Sequence, residues 1–152
     1  MNLQEELKAL KERIAELEGL AKEEREFPQE GHWYWHITSD AGIGINSWEG
    51  GLEFEKEQLS IGNVFRTKEQ AEFAVEKLKV EAELRKFSTS FVLYKENWFL
   101  SLADTQKDVM PLYEHRDVTQ GAIYFESREK VEEAIDTVGE DRIKKYIFGV
   151  ED

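Results

Sequence analysis

The residues of this chain whose types and spacing could bind a metal ion are two histidines, His32 and His36. Histidines four residues apart suit zinc when they share one face of a helix. The residues from Trp33 to Trp35 are aromatic and favour a strand, in which four residues span about 13 Å. Two imidazoles that far apart do not share one ion, so we expect no metal site at this pair.

The aromatic segment around these histidines is predicted to be a strand, in which alternate side chains face opposite sides. We expect Trp33, Trp35 and Ile37 to face the core. Tyr34 and His36 then face a surface that is available for binding.

A second predicted strand, from residue 43 to 48, forms a hairpin with the first and ends at Trp48. We interpret Tyr34, His36 and Trp48 as candidate partner-binding residues. The same three rings would suit stacking on a nucleotide, which leaves open a small-ligand sponge, although the acidity of the chain opposes a phosphate.

Glu53, Glu55 and Glu57 alternate with other residues in a segment that we expect to be a third strand, from 52 to 57. In a strand their carboxylates would share one face at intervals of about 6.7 Å, close to the spacing of successive phosphates. This row is a candidate partner-binding surface that mimics DNA. The alternative, which we favour, is an edge strand whose charge prevents aggregation.

No enzymatic motif is present in the chain. Gly42-Ile43-Gly44 lacks the third glycine and the helix of a dinucleotide-binding loop, and no serine lies in a nucleophile-elbow pattern. The absence of cysteine excludes disulfides, thiolate metal ligands and a cysteine nucleophile. We therefore predict a protein that is not an enzyme, with no catalytic residues and no cofactor.

The charge of the chain restricts its partners. Its 152 residues include 33 acidic and 20 basic ones, and the formal net charge is −13. Nucleic acid and anionic lipid both require clustered lysine and arginine, so we expect neither as a direct ligand. No apolar run is long enough to span a membrane, and we predict that the protein stays in the cytoplasm of the cell that makes it.

The N-terminal segment, residues 1–26, has the spacing of a coiled coil. Glu6 and Lys11, and likewise Arg13 and Glu18, fall on g and e positions that attract each other in a parallel pair. We predict a homo-oligomer, most simply a dimer, although an amphipathic helix folded back on its own body is the alternative. The predicted interface consists of Leu3, Leu7, Leu10, Ile14 and Leu17.

The rest of the chain is predicted to be α+β. A hinge over 27–31 is followed by two related units, each with a small antiparallel β-sheet and a helix, over 32–88 and 89–152. The relation rests on a strand, helix cap and helix that occur twice, with caps at Thr67 and Ser127. In the second unit we expect residues 91–94 to pair with 98–102, and 109–113 and 121–125 to form further strands.

The run from Gly62 to Glu72, GNVFRTKEQAE, resembles a module of small accessory proteins of phages and prophages of Gram-positive bacteria. The segments 77–80 and 83–87 continue that resemblance, and the closing run from Ile143 to Val150 is similar to the end of such proteins. The module recurs in proteins of unassigned role and brings no active-site residues. The resemblance implies a phage context, in which small acidic proteins bind host machinery, including defence systems such as CRISPR effectors.

Together these features favour a non-enzymatic binding protein that acts stoichiometrically on a protein of the host bacterium. An inhibitor of a defence or nucleic-acid-handling enzyme is the leading hypothesis, with affinity from aromatic contacts and a fast association rate from negative charge. Two alternatives stay open. One is the nucleotide sponge, and the other is a virion or assembly component that uses the N-terminal helix as a connector.

Overall fold

A computed structural model describes residues 2–103 and 108–151 and confirms an α+β protein with an N-terminal helix. Its compact units comprise the residues up to Ala71, here unit 1, and those from Glu72, here unit 2, so the division falls within a helix. The elements are α1 (Leu3–Arg25), β1 (Trp33–Ile37), β2 (Ile43–Ser47), α2 (Glu53–Ser60), α3 (Lys68–Arg85), β3 (Asn97–Leu102), β4 (Val109–Glu114), β5 (Tyr124–Phe125), α4 (Arg128–Val138) and α5 (Glu140–Tyr146).

Helix α1 begins at a capping box. The Asn2 side chain accepts a hydrogen bond from the Glu5 N–H at 2.9 Å, and the Glu5 carboxylate accepts one from the Asn2 N–H at 3.2 Å. Two of the N–H groups that a helix start leaves without a partner are thereby satisfied. The predicted helix is confirmed, whereas its pairing into a coiled coil stays a prediction.

In unit 1, β1 and β2 form an antiparallel hairpin in which Trp35 lies opposite Ile45. The turn is closed by a hydrogen bond from the Thr38 N–H to the Gly42 carbonyl at 2.9 Å, and the Thr38 hydroxyl donates to the Asp40 carboxylate. The sequence predicted this hairpin because polar turn residues separate two β-favouring runs.

The prediction of which face of β1 is buried was wrong. Tyr34 is fully buried, and Trp33, which we expected in the core, is 64 % exposed. The Tyr34 hydroxyl donates to the Gln58 side chain of α2 at 2.7 Å, so the face carrying Tyr34 meets α2. Alternation separates the two faces of a strand, but what packs on them decides which is inside.

The predicted strand from 52 to 57 is also wrong, because these residues begin α2. Glu55, the third residue of the helix, is fully buried, and its carboxylate accepts hydrogen bonds from the Gly51 and Leu52 N–H groups, each at 3.2 Å. This contact caps the first turn, and the segment is rich in the helix formers glutamate, lysine, glutamine and leucine.

Unit 2 contains an antiparallel sheet in the order β4-β3-β5. One face of this sheet packs against helices, since Trp98, Leu100 and Leu102 of β3 contact a core to which the C-terminal part of α3 also contributes. The buried residues of this core are Val80, Leu84, Val109, Phe125, Val131, Ala134, Val138 and Ile143.

The strand predicted for residues 91–94 is absent, and these residues form a turn instead. The side chain of Asn97, which is 3 % exposed, accepts from the Val92 N–H at 2.7 Å and donates to the Val92 and Lys95 carbonyls, each at 2.9 Å. These bonds curl the chain back on itself. β3 therefore pairs with β4 and β5 instead, and along β4 Trp98 lies opposite Tyr113.

The two predicted caps have the same local structure. The Thr67 hydroxyl accepts from the Gln70 N–H and the Ser127 hydroxyl from the Lys130 N–H, each at 3.2 Å. In unit 1 Phe65 bridges antiparallel to β1, and in unit 2 Phe125 pairs antiparallel with β3. Both caps are confirmed, and a repeat relation between the units stays a prediction.

Candidate protein-binding surfaces

The predicted interface residues on α1 form an apolar row that no described residue covers. Leu3 is 83 % exposed, and even Leu17, the least exposed of the five, is 47 % exposed. The others are Leu7, Leu10 and Ile14, and Leu20 lies exposed near the end of the row. Apolar side chains at a and d positions of a coiled coil are normally buried by a second helix, so this row is a candidate docking surface.

The charges beside this row suit a parallel partner helix. Arg13 forms an ion pair with Glu16 one turn along the same helix at 2.7 Å, and both side chains are exposed. An exposed pair of this kind stabilises a single helix weakly. It leaves Arg13 able to exchange Glu16 for the Glu18 of another α1 helix, as the heptad positions predict.

The β1–β2 hairpin has two unlike faces. Its inner face carries Tyr34, His36 and Trp48 and meets α2 through the bond from Tyr34 to Gln58. Its other side, which we call the outer face, is apolar, and Trp33 and Ile45 are its exposed members at 64 % and 45 %. The outer face consists of Trp33, Trp35, Ile37, Ile43 and Ile45.

The edge of β1 that faces away from β2 is occupied by residues from the end of unit 1. Trp35 and Phe65 exchange backbone hydrogen bonds at 2.9 and 2.8 Å. The Asn63 side chain then behaves like a strand backbone, because it accepts from the Ile37 N–H at 2.6 Å and donates to the Ile37 carbonyl at 2.9 Å. The backbone groups of Trp35 and Ile37 thus point away from β2.

The alternation of hydrogen bonding along β1 determines which backbone N–H and C=O groups of β2 lack a partner. In an antiparallel pair, residues opposite each other direct their backbone groups the same way relative to the ladder, either both towards the partner strand or both away from it. Ile43 and Ile45 lie opposite Ile37 and Trp35, and Ser47 follows in the same alternation. The N–H and C=O groups of these three residues therefore point outward, and no described residue bonds to them.

The three aromatic residues predicted to bind a partner do not form an open site. Tyr34 and Trp48 pack edge to face with their ring centroids 5.6 Å apart, and Trp48 is 7 % exposed. His36 is half-buried, with its ring centroid 5.8 Å from that of Tyr34, and its Nδ1 atom has no hydrogen-bond partner among the described residues. Rings that pack on one another leave no slot for a nucleotide base.

The three glutamates predicted to form a row are separated by the helical geometry of α2. Glu53 and Glu57 are exposed and lie one turn apart on the same face. Glu55 is buried on another face, where its carboxylate also accepts from the Glu49 N–H at 2.6 Å. The strand-like row of carboxylates on which the DNA-mimic hypothesis depended is therefore absent, and its geometry was wrongly predicted.

The remaining features of the described residues concern metal ligands, small-ligand pockets and membrane-spanning helices. No three His, Asp or Glu side chains of residues 2–103 and 108–151 come together as metal ligands. Unit 2 has a cavity of about 130 Å³ bordered by Leu84, Phe99 and Phe148. Two more open depressions of about 400 Å³, one beside Ser88 and the other beside Lys144, have volumes like those of small-ligand pockets. In the same ranges no helix is long and apolar enough to span a membrane.

Sequence reasoning missed the outer face because it placed Trp33 and Trp35 inside. One residue in the sequence, Gly44, indicated the opposite orientation of the hairpin. A glycine within a strand marks close approach of another group, and the His36 ring lies where a side chain at position 44 would begin. The face that carries Gly44 is thus the crowded one.

No protein-family model matches this chain, and neither a curated protein nor a solved structure is significantly similar to it.

Proposed function

We propose that this protein is a phage-encoded, non-enzymatic binding protein that acts stoichiometrically on a protein of the host bacterium. The target class is a defence or nucleic-acid-handling enzyme, which the chain inhibits by occupying it. The observation that carries the proposal is the outer face of the β1–β2 hairpin, where Trp33 and Ile45 expose apolar surface. Large aromatic side chains on a surface are the residue type most enriched among the energetic centres of protein interfaces.

The net charge of −13 supports a protein target over nucleic acid or a membrane surface. Enzymes that handle nucleic acid carry basic grooves, and an acidic protein is attracted to such grooves at long range. This attraction increases the association rate, while apolar contacts determine how long the complex lasts. The pairing of two chains through α1 would present two hairpins to the target and add avidity.

The test is capture of a partner by the whole chain from a bacterial lysate, followed by titration of the purified partner. We expect saturation at one partner per chain, and an inhibited partner should lose activity in proportion to the amount of protein added. Trp33→Ala should weaken binding by roughly tenfold or more. Ile61→Ala, which removes another exposed apolar side chain of unit 1, should leave binding unchanged.

Three results would contradict the proposal. Inactivation of the target by far fewer chains than target molecules would indicate an enzyme. Co-purification of a nucleotide without any protein partner would indicate the small-ligand sponge. Equal binding by the Trp33→Ala and Ile61→Ala variants would remove the outer face from the interface.

A further inference from the structure

We infer that β2 recognises its partner by strand addition: an extended segment of the target pairs with the open edge of β2 and lengthens the hairpin sheet by one strand. The inference rests on the proposed function and specifies how the protein partner is bound. Strand addition derives affinity from main-chain hydrogen bonds and specificity from alternate side chains. Both components are present at β2.

The main-chain component is the row of outward groups at Ile43, Ile45 and Ser47. These residues extend over about 13 Å, the length of a five-residue strand. Each offers an N–H donor and a C=O acceptor to an incoming strand, and none is bonded to a described residue. Such a row is a ready template for another extended chain.

The other edge strands in the described residues carry features that interrupt pairing with a further strand, and β2 lacks such features. On β5 the Tyr124 carbonyl accepts from the Thr89 N–H at 2.7 Å. The edge of β1 is occupied by the Phe65 backbone and the Asn63 side chain. On β4 in unit 2, Pro111 has no N–H, and the Val109 N–H donates to the Glu140 carboxylate at 2.8 Å. β2 has no proline, no charged residue and no covering side chain of this kind.

The side-chain component is the outer face beside that edge. An added strand would place alternate side chains next to Ile43 and Ile45 and extend the apolar surface that continues to Trp33. Ile45, which is 45 % exposed, would be covered. The inferred segment therefore carries apolar, β-favouring residues at every second position.

Charge identifies the occupant as another protein rather than a second copy of this chain. Residues 27–66, which surround the hairpin, include six acidic and two basic residues. At the hairpin turn, hydrogen bonds from the Thr38 hydroxyl and the Gly42 N–H lower the pKa of Asp40, so this carboxylate stays ionised at neutral pH. A segment flanked by lysine or arginine is attracted, whereas a second acidic body is repelled.

The experiment is selection of short random peptides from a display library on the whole protein. Leu112 on β4 provides a matched control, because it is 44 % exposed and lies on an edge strand that Pro111 interrupts. We expect enriched peptides with alternating apolar residues and basic flanks. Ile45→Lys should weaken their binding by roughly tenfold or more, and Leu112→Lys should leave it unchanged.

Amide hydrogen exchange on the wild-type chain tests the geometry without any substitution. A bound peptide should slow exchange at Ile43, Ile45 and Ser47, whereas Tyr34, whose ring is on the inner face, should keep its rate. Selection of no such peptide, equal binding by both lysine variants, or no protection at these three amides would each overturn strand addition. Protection that rises with protein concentration in the absence of peptide would identify a second copy as the occupant and also overturn the inference.

Failure of strand addition can be distinguished from failure of the proposed function. If a captured host protein binds the Ile45→Lys variant as tightly as the wild type, strand addition is overturned while stoichiometric binding stands. If no host protein is captured but the selected peptides protect β2, the edge is confirmed as a strand-binding site and the proposed target class is rejected.

Discussion

Asn97 shows how one side chain can redirect a whole segment. Its side chain, which is 3 % exposed, accepts one hydrogen bond and donates to three carbonyls, those of Val92, Lys95 and Glu114. The bonds to Val92 and Lys95 fold the chain into a turn, and the bond to Glu114 links that turn to β4. A buried side chain with this many hydrogen bonds to the backbone stabilises the local structure, because all of these bonds are lost when the side chain is removed.

Replacement of this side chain should destabilise unit 2. We expect Asn97→Ala to lower the free energy of unfolding by about 1–3 kcal/mol, because it removes the hydrogen bonds that this buried amide makes to the backbone. Chemical denaturation followed by circular dichroism measures the difference. Lys95→Ala is the control, since it keeps the backbone carbonyl that Asn97 binds; equal losses for the two variants would contradict this role.

Gly44 is required by the position of the His36 ring. A Cβ atom at position 44 would lie 2.5 Å from His36 Cε1 and 2.6 Å from Nε2, closer than real Cβ contacts allow. We expect Gly44→Ala to destabilise the chain by about 1–3 kcal/mol, as overpacking does. In a His36→Ala background the same substitution should cost much less, and a denaturant-based double-mutant cycle measures the coupling. Additive effects would show that the ring is not the obstacle.

At the scale of elements, an ion pair clamps α3 to α5 within unit 2. The Arg142 guanidinium donates to both Glu83 carboxylate oxygens, at 2.8 and 3.1 Å, and to the Val138 carbonyl at 3.0 Å. These side chains are about one third exposed, at 37 % for Glu83 and 38 % for Arg142. A two-pronged contact of this kind fixes orientation more than it adds stability.

The ion pair between Glu83 and Arg142 should make the free energy of unfolding depend on pH. The hydrogen bonds from Arg142 lower the pKa of Glu83 below its ordinary value. A carboxylate with a lowered pKa in the folded state stabilises the fold above its unfolded pKa of about 4.3 and loses that contribution as pH falls through the folded value. We expect Glu83→Gln to cost about 0.5–1 kcal/mol at pH 7 and almost nothing in strong acid, by denaturation at both pH values.

A control for this pair is available on α4. Glu132 pairs with Arg128 four residues away on the same helix at 3.1 Å, so Glu132→Gln removes a contact within one helix and none between helices. Its cost should be smaller than that of Glu83→Gln. A pH-independent cost for Glu83→Gln would show that its ionised form does not contribute to folding.

Helix α1 offers a sharp test of its predicted pairing. Leu10 is at a d position, and Ala9 lies beside it outside the apolar row. We expect Leu10→Asp to abolish dimerisation, because it places a carboxylate in the interface, whereas Ala9→Asp should keep the dimer. Sedimentation equilibrium distinguishes the two states. The same mass for both variants would contradict the proposed interface.

At the scale of the whole molecule, the predicted dimer depends on α1 alone. The full chain should sediment at twice its mass of 17.8 kDa, and a chain lacking residues 1–26 should sediment as a monomer. The acidic bodies repel each other, so removal of the apolar row should leave nothing to hold them together. Equal monomer masses for both chains would reject the oligomer, and a dimer of the truncated chain would place the interface in the body.

Much of the fold could be predicted from local signals. The capping box at Asn2, the caps at Thr67 and Ser127, and the hairpin turn at Thr38 to Gly42 each depend on residues within a few positions of one another. The candidate surface was predicted less well. Tyr34 and Trp48 were assigned to it because their types suit binding, and the structure buries both.

The sequence by itself determined the class of fold, the N-terminal helix with its apolar row, the caps and the first hairpin, because these depend on spacing and short-range hydrogen bonds. Only the tertiary structure decided which face of β1 is inside and which strand pairs with β3. Those outcomes depend on Tyr34 meeting Gln58 and on Asn97 meeting Glu114, partners distant along the chain. Periodicity specifies that a strand has two faces and two edges, but only packing decides which of them stay open.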